Sequence, residues 1–295
     1  MIAYSKFSTK LIFLFFLLLC FIACFCVLLY GNRLSDCMGE KEDIQELLNF
    51  LLEYSTSLMG VGVQTARVVH NTTRIAKAFG FSLDMTIFQK SIIMTIVDDD
   101  DPLHPKTSVD KIKPLALNFE LISTLSALSW YIYDNRPTLD EVWVKFRTIM
   151  AKPRMSRWWV LFLVSCANAS FCRLFGGDGI AMAVVFLATL VGFLIRQEMM
   201  NRHMNHLFIF VVSAFVASMV GGIVVINHWG NTPEIALASS VLYLIPGVPL
   251  INSVIDFMDG HVLAGFSRLI NACLLIICIA IGLSITLLIL GVNSL

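Results

Sequence analysis

The sequence predicts a polytopic α-helical membrane protein. About five C-terminal transmembrane helices follow a small α+β cytosolic domain, and an extra apolar segment stands at the N-terminus. Three observations predict this. The 295 residues are 57% hydrophobic and 14% charged, where soluble domains carry about 25% charged residues. The second half holds successive apolar runs long enough to cross a bilayer, which takes roughly 20 residues each. The loops between these runs alternate between basic and non-basic, as a consistent topology requires. The formal net charge is zero, so nothing suggests a nucleic-acid partner.

Residues 11–30 are apolar and uncharged, with Lys6 and Lys10 before them and Arg33 after. They read as an anchor or an uncleaved signal-like segment. Their flanking charges conflict with those of the neighbouring region. Lys6 and Lys10 place the N-terminus inside, which would put residue 38 onward outside. Yet Lys145, Arg147, Lys152, Arg154 and Arg157 form a basic cluster just before the next span and mark that side as cytoplasmic. The denser cluster is the stronger signal. Residues 1–37 are therefore expected to be a hydrophobic extension or anchor, or a mis-assigned start with Met38 as the working one.

Residues 38–157 read as the cytosolic α+β domain. An amphipathic helix over 40–58 carries Ile44, Leu47, Leu48, Leu51 and Leu52 on one face. A second helix over 63–79 ends at Gly80. Strands come next over 81–88, 91–97 and near 106–112, then helices over 115–133 and 138–150, the last with Thr138 as its N-cap. The run Asp98–Asp101 reads as a solvated turn, with no EF-hand spacing to make it a metal loop. The eight cysteines form no CxxC pair and no zinc spacing, and no nucleophile or phosphate-loop pattern occurs. Neither an enzyme nor a cofactor is expected.

Residues 158–295 read as five spans over 158–175, 179–195, 207–227, 235–257 and 269–292. The loops 196–206 and 258–268 are basic, and 176–178 and 228–234 hold no Lys or Arg. That puts residues 38–157 in the cytoplasm and the C-terminus outside. The third span carries Ser213, Ala217 and Gly221, with Ala214, Ser218 and Gly222 beside them, a close-packing face. The first holds Asn168, whose amide serves either a neighbouring helix or a ligand. Asp178 lies in a Gly-Gly-Asp-Gly turn, either solvated or coupled to an ion.

The fourth span is broken at Pro246-Gly247-Val248-Pro249. Each proline lacks an N–H and clashes with the carbonyl four residues back, so the Leu242 and Ile245 carbonyls should lose their partners. Freed backbone at membrane depth is tolerated only inside protein or beside a wet cavity. A half-helix starting there presents N–H groups to anions. Asn252 and Asp256 lie beyond it, one turn apart. Broken helices with polar groups at mid-membrane are how many transporters build substrate sites. The expected substrate-binding set is Leu242, Ile245, Pro246, Gly247, Pro249, Asn252 and Asn168. N–H groups after Pro249 and the Asn252 amide would hold a carboxylate, and the freed carbonyls an ammonium. Asp256 or Asp178 would carry the coupling ion or act as a gate.

The stretches FCRLFGGDGIAMAVVFLA, FLIRQ and NTPEIALASSVLYLIPGVPLINSVIDFMDGH resemble the bacterial threonine/serine exporter family. The similarity is to its split form, in which the N-terminal half is a separate subunit. Gly62-Val63-Gln64-Thr65-Ala66-Arg67-Val68 resembles the family's G-x-E-T-x-R-V helix, with Gln64 standing where the family often has an acid. The resemblance covers roughly residues 45–292. It implies export of small hydrophilic metabolites across the bacterial inner membrane, driven by an ion gradient. The implied substrates are threonine and serine for fused members and a dicarboxylate such as succinate for some split ones. It also implies a smaller membrane subunit equivalent to the missing C-terminal half. A membrane-anchored regulatory or scaffold protein is the rival reading.

Overall fold

The computed structural model describes residues 44–98, 103–153 and 155–291. The N-terminal apolar segment and residues 99–101 of the Asp run lie outside the described residues, as do the expectations placed on them. Residues 44–61 form α1, which buries Leu47, Leu48, Phe50, Leu51, Tyr54 and Leu58 along one side. Gly62, at φ +93°, turns the chain between α1 and α2 (Thr65–Ala78). A left-handed residue of this kind is accessible to glycine at little cost.

The strands β1 (Phe81–Ile87), β2 (Ser91–Asp98) and β3 (Lys106–Lys111) form an antiparallel meander with β2 in the centre. Alternation decides its faces: Ile92, Met94 and Ile96 are buried, while Thr95 bonds Thr107 across the other face at 2.8 Å. β3 is the exposed edge and bears Lys106, Asp110 and Lys111, charges that discourage pairing with a further strand.

The last two helices of this domain are α3 (Phe119–Asn135) and α4 (Leu139–Met150). α3 starts later than the expected residue 115 because the Asn118 side chain accepts from the Leu121 N–H at 3.1 Å and caps it there. Thr138 sits at the N-cap of α4 as expected, but its hydroxyl makes no capping bond. Phe50, Tyr54, Trp143 and Phe146 stack mostly edge to face in the core between α1 and α4. The Tyr54 hydroxyl donates to the Leu125 carbonyl at 2.8 Å, and burial pushes this phenol far above its usual range.

The C-terminal region comprises α5 (Arg157–Leu174), α6 (Gly179–Asn201), α7 (His206–Ile226), α8 (Pro233–Ser240), a 3-10 turn at Leu242–Leu244, α9 (Gly247–Met258) and α10 (Val262–Leu290). Three of these helices are long and apolar enough to cross a membrane: α6, α7 and α10. The pair α8–α9, bent by 61°, makes a fourth if it is one span. The expectation was five. α5 falls short because its 18 residues include Arg157, Arg173, Ser165, Asn168 and Ser170. A correction concerns the basic loop expected over 258–268. Only three residues separate α9 from α10, and Arg268 lies inside α10, in its second turn.

The small residues of α7 form the close-packing face the sequence indicated. Ser213, Ala214, Ala217, Ser218, Gly221 and Gly222 are all buried, and the Ser218 hydroxyl bonds Thr286 of α10 at 2.6 Å. Gly282 of α10 is where the backbone of α7 comes close. A Cβ there would stand 2.5 Å from the Val211 carbonyl oxygen and 2.9 Å from the Phe215 amide nitrogen. Backbone cannot yield as a side-chain tip can. Gly282→Ala is therefore expected to push α7 and α10 apart and cost about 1–3 kcal/mol, read as a lower melting temperature of the full chain in detergent. An unchanged melt would show that this crossing has room for a methyl group.

Candidate functional site

The break in the bent pair differs in detail from its expected form. α8 stops at Ser240, well before the first proline, and a 3-10 turn comes next. The Leu242 carbonyl is not orphaned: it accepts from the Ile245 N–H at 3.1 Å. Nor is that of Ile245, which accepts from the Gly247 N–H at 2.8 Å. The chain leaves the helix early enough for shorter-range bonds to take up both carbonyls. Pro246 is the N-cap of α9 and Pro249 sits in its first turn, where an N–H has no intrahelical acceptor anyway. The Leu250 N–H bonds the Pro246 carbonyl at 3.2 Å, so the donors expected after Pro249 are spent within α9.

Asn252 and Asp256 lie together on one face of α9, and both are buried. That face docks on the turn between α1 and α2. The Asn252 amide donates to the Gly62 carbonyl at 2.8 Å. One oxygen of Asp256 accepts from the Thr65 N–H at 2.9 Å, and the other from the Thr65 hydroxyl at 3.0 Å. The Arg268 Nε stands 3.3 Å from the same carboxylate, and its Nη2 donates to the Val63 carbonyl at 2.7 Å. Gln64, the N-cap of α2, makes no side-chain capping bond. Asp256 supplies that cap from another element, an anion placed at the positive end of a helix. The Gly62–Val68 motif thus has a structural task, which is to receive the membrane half. Thr65 and Arg268 were not singled out from sequence. Thr65 appeared only within the Gly62–Val68 resemblance, its partner Asp256 lying 191 positions away, and Arg268 only as a charge of the 258–268 loop.

Asn168 joins three elements. Its amide donates to the Thr189 hydroxyl of α6 at 2.6 Å and to the Ser239 carbonyl at the end of α8 at 3.1 Å. These bonds are those of the helix-partner reading.

At the opposite end of the bundle Asp178 ties two turns together. One oxygen accepts from the Ala181 N–H at 2.7 Å and caps α6, and the other accepts from the Asn231 N–H at 2.7 Å. Its own N–H donates to Thr232, the N-cap of α8. These backbone donors, Ala181 first and Asn231 next, hold the carboxyl below the usual carboxylate range. In its charged form the carboxylate ties the two turns together. Its stabilisation is present above the unfolded pKa and is lost as pH falls through the depressed folded one. Asp178→Ala is accordingly expected to melt lower than the wild type at pH 7, with the gap closing only as the pH falls below the ordinary carboxylate range and through the depressed folded pKa. A gap independent of pH would overturn the tie.

Asp178 meets the start of α8 beside the α5–α6 turn, and Asp256 meets the compact domain from the end of α9. The bent pair therefore runs from the end of the bundle at the α5–α6 turn to the end that meets the compact domain. Two further polar features flank it. An open cleft of about 610 Å³ beside α2 is lined by Arg67, His70, Arg74, Asp259 and His261. Near the break, Arg196 Nε, Ser213 Oγ and the Tyr243 hydroxyl are buried with no hydrogen-bond partner. Of these, Arg196 opens the stretch 196–206 that the sequence marked as a basic loop and lies inside α6 instead, and Ser213 was read as a packing residue. Tyr243 did not stand out at all.

A family model described as "Putative threonine/serine exporter" matches residues 49–290. The chain belongs to the threonine/serine exporter family. Within it, the chain is 31% identical to the "Probable succinate transporter subunit YjjP" of Klebsiella aerogenes, over 83% of this chain and 94% of that protein. It is 29% identical to the protein of the same description from Escherichia coli strain K12, over 86% and 99%. It is 23% identical to the "Probable threonine/serine exporter" of Mycobacterium tuberculosis, over 87% of this chain but 49% of that protein. No solved structure matches the chain significantly. Membership in a transporter family makes the chain a membrane protein and, by implication, not an enzyme. The expected family is thus the family found.

Proposed function

We propose that this chain is one subunit of an inner-membrane exporter that carries a small dicarboxylate of the succinate class by ion-coupled alternating access. The observation that carries this reading is the match to two relatives named as succinate transporter subunits, along nearly their whole lengths. The chain's cations support it. A dicarboxylate needs two cationic or donor-rich sites, and Arg196 beside the break and the Arg67–Arg74 cleft offer positive charge in two places. The partner is a smaller membrane subunit, equivalent to the half of the Mycobacterium tuberculosis protein that this chain does not span. In this reading α5 is a fifth crossing packed against α6. Residues 38–157 are cytoplasmic and the C-terminus is periplasmic, so a second half joined there would be inverted. The substrate path runs at the subunit interface past the break of α8–α9.

Threonine or serine is the second reading, favoured by the family's description and by the Mycobacterium tuberculosis relative. The test is efflux from cells preloaded with labelled succinate, threonine or serine, expressing this chain with and without the smaller subunit. Succinate efflux that needs both proteins is expected. Efflux of threonine or serine alone would replace the substrate class. No efflux of any label from cells with both proteins inserted would sink the exporter reading.

A further inference from the structure

We infer that Arg196, Tyr243 and Ser213 form a carboxylate-binding site beside the break, an inference that rests on the exporter reading and gives its substrate a first contact. The three come from different elements. Arg196 lies in the last turns of α6, Ser213 in the first half of α7, and Tyr243 in the 3-10 turn between α8 and α9. The Tyr243 hydroxyl stands over Gly192, where a Cβ would also meet Ala217 and the Ser213 carbonyl. The Tyr243 ring meets Phe193 edge to face at 6.0 Å between centroids. The Arg196 guanidinium lies over Phe210 at 4.8 Å and Phe193 at 5.7 Å.

Their common property is that each has a buried polar atom with nothing to bond: Arg196 Nε, Ser213 Oγ and the Tyr243 hydroxyl, the three such side-chain atoms among the described residues. Buried polar groups are nearly always paired, so each exception calls for a cause. Three within one neighbourhood call for a shared one. The two phenylalanine rings engage the face of the guanidinium. Its N–H donors point along the plane of the group and stay open. Among the described residues no carboxylate pairs with Arg196, in contrast to Arg268, whose Nε is 3.3 Å from Asp256. A planar fork of donors with two nearby hydroxyls is the complement of a carboxylate. The small Gly192 makes room for the phenol, and Tyr243 sits on the segment whose geometry the break controls. The ligand class is a carboxylate, which both succinate and threonine carry.

Tyr243→Phe decides the matter, because it removes one hydroxyl and keeps the ring. If the hydroxyl has only a structural setting, its removal deletes an unpaired buried group, and the variant melts at or above the wild type with unchanged binding. If it holds a carboxylate, affinity falls about tenfold, the scale of one lost bond to a charged group. The measurement is titration of the full chain, with its smaller subunit, in nanodiscs with succinate and separately with threonine, alongside Arg196→Lys, Arg196→Gln and Ser213→Ala. Arg196→Lys keeps the charge without the fork and is expected to bind weakly, and Arg196→Gln not measurably. Wild-type affinity in Tyr243→Phe and Ser213→Ala would overturn the site, even where export of succinate stands. Binding of threonine but not succinate, weakened by the same variants, would keep the site and overturn the dicarboxylate reading. No saturable binding of either by the wild type would overturn the site.

Discussion

Replacing Asp256 by alanine is expected to destabilise the folded chain by about 3–5 kcal/mol, the usual cost of breaking a buried ion pair from one side. The carboxylate is fully buried and serves three donors: the Thr65 N–H, the Thr65 hydroxyl and the Arg268 guanidinium. Its loss leaves Arg268, whose side chain is 17% exposed, with a charge and no counter-ion. It also uncaps α2, for which Gln64 gives no substitute. The compact domain then loses its main polar hold on α9, and the 62–67 segment becomes open to protease. Arg268→Ala should cost less, because Asp256 keeps the two Thr65 donors at a helix N-terminus. The double variant should be close to Asp256→Ala rather than the sum, since both act on one contact. Thermal unfolding in detergent and limited proteolysis of the full chain read all three. Asp256→Asn separates two roles for this residue. A docking residue loses stability when neutralised beside Arg268, whereas a proton carrier keeps its fold and loses export. Normal melting of Asp256→Ala would sink the docking role.

That contact also marks where the sequence stopped being readable. The elements of the compact domain were legible because local signals agree. Amphipathic spacing set α1, Gly80 ended the turn after α2, and alternation over 91–97 put Ile92, Met94 and Ile96 on one face. Long apolar runs gave α6, α7 and α10, and the small-residue register of α7 gave its packing face. The proline pair located the break to within a few residues, but not its hydrogen bonds. Those depend on where α8 stops, which Asn168 influences from another helix by bonding the Ser239 carbonyl. Asp256 was visible as an acid in an apolar run. Its partners were not, because a pairing across about 190 residues leaves no periodic trace. Arg196 and Tyr243 show the same limit: their pairing, or lack of it, is a property of three elements meeting. Periodicity reports burial of a face, whereas a site is made by faces from different parts of the chain.

The proline pair carries the other large expected effect, and the structure assigns its two members unequal shares. Pro249 lies in the first turn of α9, where its absent N–H forfeits no intrahelical bond, so Pro249→Ala should be nearly silent. Pro246 is different. It stands at the N-cap, and any helix continuing from α8 would have to pass through it. Proline disfavours a helix interior by about 3 kcal/mol relative to alanine. Pro246→Ala removes that barrier and restores an N–H able to reach back to Leu242. The double variant Pro246→Ala/Pro249→Ala is expected to straighten the 61° bend, keep membrane insertion and abolish export in the labelled-efflux assay. A straight helix cannot keep both ends of the present arrangement. It would have to lift Asn252 and Asp256 off the Gly62–Thr65 turn, or carry Tyr243 away from Gly192. The single variants sharpen the test, since Pro246→Ala should lose more than Pro249→Ala but less than the double variant, because a helix continued through residue 246 would still meet Pro249 in its interior. Equal losses from both would place the break in the wrong residue, and full export by the double variant would remove the broken helix from the transport mechanism. Retained insertion matters as much as lost export. It separates a span that has lost its bend from one that has lost its place in the bundle.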